Sequence, residues 1–339
     1  MRTIYLTVDT ECHDLNNSNL YIEGFDGKEY WGLKRILELG KESDIPINFF
    51  VDVGEAVEYG DKYIQNIVDL IHNYKQPVFF HLHPDYISKD HSRTFLWEYT
   101  KQEKEKIFHK ALEIYEHFAG KQDRLVFRAG RYGVDSEFYD ILKDSGIKIL
   151  DLSYLCGSKK MCHLTFDDVK VNNKATNYKE ITILPNTQFI GFDMFGIKRA
   201  IGLDASDATF NEYCRYIDNT KLSSLILTMH SWNFIKKWFF LPGKLSGDTG
   251  MVRKYFRFIK YARERGFEFG DLNNYVLIDD NDEFINLCDG FRGKVLSLFN
   301  NFIRFQKIAR LNKKYFIVYC AFYCMLLLVI VVILFALQK

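Results

Sequence analysis

Four short apolar runs, far apart in the chain, each lead into side chains that carry charge or bind metals. They are Ile4-Tyr5-Leu6 before Thr7-Val8-Asp9-Thr10-Glu11, Val78-Phe79-Phe80 before His81-Leu82-His83-Pro84, Leu125-Val126-Phe127 before Arg128-Ala129-Gly130-Arg131-Tyr132-Gly133, and Leu225-Ile226-Leu227 before Thr228-Met229-His230-Ser231-Trp232. Runs of this kind read as buried strands. Strands are predicted at Thr3–Val8, Ile47–Val51, Val78–Phe80, Leu125–Phe127, Lys148–Leu150, Ile181–Leu184, Leu225–Met229 and Phe267–Phe269. Between them the apolar spacing becomes helical. Leu33, Ile36, Leu37 and Leu39 mark a helix over Trp31–Lys41, and Ile64, Ile67, Val68 and Ile71 one over Lys62–Asn73. Helices also follow over Lys101–Ala119, Ser136–Asp144 and Val252–Arg265, the last two closed by Gly146 and Gly266. Repeated β-then-α units predict an α/β fold with a parallel sheet covered by helices, a barrel or a doubly wound sheet. In a barrel, side chains at successive strand ends meet in one place.

The residue types at those ends point to metal-assisted hydrolysis. Asp9 and Glu11 are two apart, so on extended chain they share one face, as do His81 and His83. Two imidazoles and a carboxylate on one divalent ion leave a coordination position open. Such an ion lowers the pKa of water toward neutrality and polarises a scissile carbonyl, while the second carboxylate is free to take a proton. His230 has the right intrinsic pKa to protonate a leaving amine. Arg128 can orient a carboxylate, and Gly130 lets backbone amides approach an oxyanion. Each residue also has a plain structural reading: an aspartate capping a turn, an arginine in an ion pair, a histidine satisfied in a core. Their co-occurrence at strand ends is what singles them out.

With those residues in place the chain resembles the polysaccharide deacetylases, carbohydrate esterase family 4, over roughly residues 3–275. Ile4–Glu11 is similar to that family's first motif, with Glu11 standing one residue later than the family's second acid. Ile45–Val51 looks like its second strand. Val78–Pro84 looks like its metal motif, although the two histidines are two apart rather than four, and Asp85 occupies the fourth position beyond His81. Phe127–Gly133 looks like the arginine motif, with one extra residue between Arg128 and Tyr132. Asp144–Tyr154, containing Asp151 and Ser153, and Leu227–Trp232 look like the last two. The resemblance implies a distorted (β/α) barrel that removes an N-acetyl, less often O-acetyl, group from a sugar. It makes Asp9 the base, Glu11, His81 and His83 the metal ligands, His230 the acid, and Arg128 and Asp151 further members of the catalytic set. Zinc suits such ligands best, and cobalt or nickel also fit. Two other readings stay open: a metal-dependent amidase acting on a non-sugar substrate, and an inactive sugar-binding or scaffold protein of the same fold.

The C-terminal region is written differently. Residues 291–339 hold eight Lys or Arg and no acid, so the 37 remaining basic residues face all 44 acidic ones in an acidic body. Residues 316–337 contain no charged side chain and are long enough to cross a bilayer as one helix. Lys313 and Lys314 precede that segment and only Lys339 follows it, which predicts a single-pass anchor with the body in the cytoplasm. Met1–Val8 predicts no signal peptide. Upstream, Val295, Leu298, Phe299, Phe302, Phe305 and Ala309 recur at helical spacing. That predicts a helix either in the headgroup plane or packed on the body. Residues 1–280 are thus expected to form the barrel, 281–315 a basic juxtamembrane segment and 316–337 the anchor. Trp238, Phe239, Phe240 and Leu241 are expected in a hydrophobic lid or a membrane contact. Seven scattered cysteines without a CxxC pair fit reduced thiols. The expected partners are an acetylated sugar or glycan, nucleotide- or lipid-linked at the membrane, with no nucleic acid.

Overall fold

The computed structural model describes residues 2–12, 14–166, 171–194, 196–237 and 244–321. Its strands are β1 (Arg2–Thr10), β2 (Asn48–Asp52), β3 (Val78–Leu82), β4 (Arg124–Ala129), β5 (Lys148–Asp151), β6 (Thr176–Tyr178) and β7 (Ile181–Ile183). They continue with β8 (Gln188–Met194), β9 (Ile197–Gly202), β10 (Ser224–His230), β11 (Ile235–Lys237), β12 (Leu245–Gly247) and β13 (Phe267–Phe269). The helices are α1 (Leu33–Ser43), α2 (Glu55–Tyr59), α3 (Asp61–Asn73), α4 (Pro84–Ser88), α5 (Lys101–Ala119), α6 (Ser136–Asp144), α7 (Phe210–Asn219), α8 (Thr249–Glu264) and α9 (Gly290–Leu311).

The main sheet runs β10-β1-β2-β3-β4-β5-β7-β6, parallel except for the last pair, and β13 joins the start of β1. It curls into a half-barrel. Irregular chain bridges the gap between β7 and β10: Leu203 N donates to Thr187 O, Thr228 N to Leu203 O and Ala205 N to Thr228 O. The predicted strands and helices of the β/α alternation are all present, with boundaries shifted by a few residues. Beyond the prediction lie α7, opened by a Thr209–Glu212 capping box, and the small antiparallel pairs β8–β9 and β11–β12.

Strand alternation sorts the core into two layers. Ile4, Leu6 and Val8 of β1 face the helices together with Leu33, Ile36 and Ile64. Tyr5 faces inward with Phe50, Phe79, Val126, Leu150 and Ile226. Leu272 and Tyr275 close this interior near the strand starts, where Arg124 donates to the carbonyls of Leu272, Asn273 and Tyr275. The opposite end is left for the ionisable residues. Asn48 stitches the layers at full burial: Nδ2 donates to Leu6 O and Gly270 O at 3.0 Å each, and Oδ1 accepts from Leu272 N at 2.9 Å.

Helix α9 packs on the body, but through its polar side. Gly293, Ser297, Asn300, Arg304 and Ala309 are buried; Ser297 donates to Gly191 O at 2.7 Å and Arg304 pairs with Glu212. Of the predicted apolar stripe, Val295, Leu298 and Phe299 face outward, joined by Phe291 at 86% exposure. The charge-free segment 316–337 passes outside the described residues from position 322, as does the proposed lid at 238–241. Among the described residues no helix is long and apolar enough to cross a membrane. Exchanging Asn48 for leucine should cost about 3 kcal/mol in urea unfolding, because it strands two carbonyls and one amide in the core. A loss below about 1 kcal/mol would show that the stitching is dispensable.

Candidate metal centre

β1, β3, β4 and β10 deliver their terminal side chains to one mouth of the sheet, because Asp9 pairs in register with His230 and His81 with Arg128. There Glu11 Oε2 lies 2.6 Å from His83 Nε2 and 3.6 Å from His81 Nε2, with all three residues buried. One ligand atom from each falls within 4.8 Å of the others. His81 Nδ1 stands 2.9 Å from the Arg128 carbonyl, which can only accept, so Nδ1 carries the proton and Nε2 presents its lone pair to Glu11. Two lone-pair atoms facing each other in a buried site call for a cation or a proton between them. Ligand atoms about 2.1 Å from a tetrahedral ion stand about 3.4 Å apart, so this set fits zinc-type coordination after a small opening of the Glu11–His83 contact.

Asp9, the expected base, and its support converge on the same mouth. Arg128 is fully buried; Nη1 donates to Asp9 Oδ1 at 2.5 Å and Nη2 to Thr7 Oγ1 at 2.9 Å, over the Phe50 ring at 4.4 Å. His230 Nε2 lies 3.8 Å from Glu11 Oε1, and Trp232 stacks on the imidazole at 4.7 Å between centroids. Gly130 earns its place by packing: a Cβ there would lie 2.5 Å from the His83 ring. After it, Arg131 and Tyr132 both adopt left-handed backbone, a costly turn that absorbs the extra residue of this motif. It leaves the Tyr132 hydroxyl among Arg128, Asp9 and Asp204, with burial raising its pKa.

Two expected residues fall elsewhere. Asp85 starts α4 and meets His91 Nδ1 at 3.2 Å, apart from the ligand cluster. Asp151 accepts from Tyr139 of α6 and from Ser153 at 2.5 Å each, and Ser153 in turn accepts from Ala129 N. Leu150 takes the inward position beside it, so Asp151 reaches this site through Ser153 at the end of β4 and through the charge of Arg128. Burial pushes its carboxyl up to about 6.

Three acids that motif reading missed surround the cluster. Asp52 pairs in register with His81 and accepts from Gly54 N at 3.0 Å; burial pushes it up to about 6 against the pull of His83 and His81. Glu55 accepts from Cys12 N, and burial, then Asp52, hold its carboxyl well above the usual range. Asp204 follows β9 and bridges to Thr228; burial raises its pKa while His230 lowers it. Burial opposes charge on His83, but Glu11, Asp52 and Asp85 together outweigh it and the imidazole is pushed up to about 9. Asp52 and Glu55 stand at the end of a predicted strand and were open to the same strand-end logic; Asp204 lies in irregular chain with no pattern to mark it.

No family model matches the chain, and no curated protein sequence matches it. The chain is similar to solved structures of carbohydrate esterase family 4. One is a family 4 carbohydrate esterase from Streptomyces lividans, 9% identical, with 80% of this chain and 93% of that one covered at a TM-score of 0.42. Another is a family 4 pseudoenzyme from Bacillus anthracis, 14% identical, covering 84% and 69% at 0.43. A polysaccharide deacetylase candidate from Mycobacterium smegmatis is 14% identical, covering 81% and 94% at 0.48. With overlaps of this size, the chemistry rests on the site itself.

Gly130→Ala should displace the His83 ring and weaken zinc binding by at least about tenfold with the fold intact, as read by competition with a chromophoric chelator and by circular dichroism. Unchanged affinity would separate Gly130 from the ligand set.

Proposed function

We propose that this protein is a metal-dependent hydrolase that removes an acetyl group, N-linked in the first instance, from a sugar. The observation that carries the reading is the convergence of Glu11, His81 and His83 beside an arginine-held aspartate. Glu11, His81 and His83 would hold the ion, which supplies Lewis acidity toward the acyl oxygen and lowers the pKa of water. Asp9 takes the proton from the attacking water. Its carboxylate is aimed by Arg128. His230 donates to the departing amine, with Trp232 fixing the imidazole plane. Asp151 acts at one remove, by tying Ser153 to the end of β4.

The outward apolar face of α9, the lysines 313 and 314 and the uncharged segment 316–337 support membrane attachment through the C-terminal region. A body on the cytoplasmic face meets nucleotide- and lipid-linked sugars rather than finished polymer.

Acetate release from N-acetylated sugars should fall by at least about a thousandfold in both Asp9→Asn and His81→Ala, with bound metal lost only in the second. Wild-type protein that carries metal but frees acetate from no amino sugar, yet cleaves other amides, would favour the amidase reading; protein without stoichiometric metal would favour an inactive scaffold. Full-length protein should stay in the membrane fraction through high salt and alkaline carbonate and leave it only in detergent. Release by salt alone would remove the anchor.

A further inference from the structure

Beyond Trp232 the mouth opens into a cleft of about 310 Å³ between the β10–β11 turn and α9. Its walls include Arg199, Lys237, Arg304, Lys307 and Arg310, against only Asp207 and Asp248. Asp248 is partly engaged, capping α8 through Met251 N at 3.0 Å and lying 3.8 Å from Arg310. Among the described residues no carboxylate pairs with Lys237, Lys307 or Arg199 within 4.0 Å, although both lysines are partly buried. Arg304 is 5% exposed, and its Nη1 has no hydrogen-bond partner among the described residues. Desolvation lowers the pKa of Lys237, to about 8, and that of Lys307. Lys237 and Lys307 are thus partly desolvated, with acid charge acting on Lys307 alone, from Asp204, Asp248 and Asp207, and a wall with this excess of positive charge is suited to receive an anion.

The cleft adjoins the candidate centre through Trp232 and Asn233. Trp232 stacks on His230, Tyr21 meets Trp232 edge-on at 5.5 Å, and Lys237 Nζ sits 4.1 Å over the Tyr21 ring. Asn233, another wall residue, accepts from His230 N at 2.6 Å and donates to Ser206. At the far end Lys307 and Arg310 also line a second cavity with Phe316 and Tyr319, where the uncharged segment begins.

We propose that the cleft between Trp232 and α9 binds the phosphate or diphosphate of a phosphorylated acetyl sugar, so that the sugar lies over Trp232 with its acyl group at the His230 side of the metal centre. This rests on the hydrolase reading for the orientation of the substrate. The recognition element is a multiply charged phosphate, whether it comes from a nucleotide or from a polyprenyl carrier. Lysines 237 and 307 are the specificity-determining contacts; Arg304, tied to Glu212, holds the wall.

The probe is inorganic pyrophosphate, titrated calorimetrically into the full chain in neutral detergent micelles, with and without chelator. Binding that persists in chelator and weakens at least about tenfold in the Lys237→Gln/Lys307→Gln double variant is expected, with Lys237→Arg/Lys307→Arg restoring it to within a few-fold. No binding in chelator, or equal affinity in the glutamine variant, would overturn the proposal. Displacement of the probe by a uridine diphosphate identifies a nucleotide source, and displacement by farnesyl diphosphate a lipid source; displacement by neither counts against the site. None of these readings requires turnover, so a failure of acetate release leaves them interpretable.

Discussion

Arg128 is the point on which the rest of the mouth depends. Its guanidinium grips Asp9 and Thr7 of β1 over the face of Phe50 of β2, while its carbonyl receives the Nδ1 proton of His81 on β3. One residue in the middle of the sheet therefore aims the proposed base and sets the tautomer of a proposed ligand. A fully buried guanidinium is costly unless its charge is matched. The match is the Asp9 carboxylate, so the same ion pair that aims this acid also satisfies the buried guanidinium.

The arrangement around it is electrostatically crowded. Asp9, Glu11, Asp52 and Glu55 are all buried near one end of the sheet, with Arg128 and the two histidines as the nearby positive or protonatable groups. Burial alone pushes carboxyls upward, which is what Asp52 and Glu55 show. A divalent cation among Glu11, His81 and His83 would relieve that excess of acid, and its binding would then be linked to the stability of this end of the sheet through the same charges. The left-handed turn at Arg131 and Tyr132 adds backbone strain at the same mouth.

Helix α9 reverses the usual order of a surface helix. Hydrogen bonds and the Arg304–Glu212 pair hold it to the body, which leaves aromatic and aliphatic side chains on the outside. Its basic residues then line the cleft that starts at Trp232. Helix α9 thus contributes to the wall beside the candidate centre as well as linking the body to the segment that follows.

The strand-end chemistry was legible because it is local: an i, i+2 pair on extended chain shares a face whatever the partner strands do, and apolar periodicity marks the β/α alternation. Those rules carried Asp9, Glu11, His81, His83, Arg128 and His230 to one mouth, together with nearly every element of the main sheet. They failed for Asp151, because which face of a strand lies inward depends on its neighbours, and Leu150 took the inward position there. Asp204 and α7 lie in chain whose conformation is set by what it bridges rather than by its own period. The side of α9 that meets the body was also out of reach, since hydrophobicity favours burying its apolar stripe and only the polar groups waiting at Gly191, Thr209 and Glu212 reversed that choice. The sequence by itself determined which groups could do the chemistry; register, sheet curl and long-range hydrogen bonding decided which of them meet, because these are properties of residues distant along the chain.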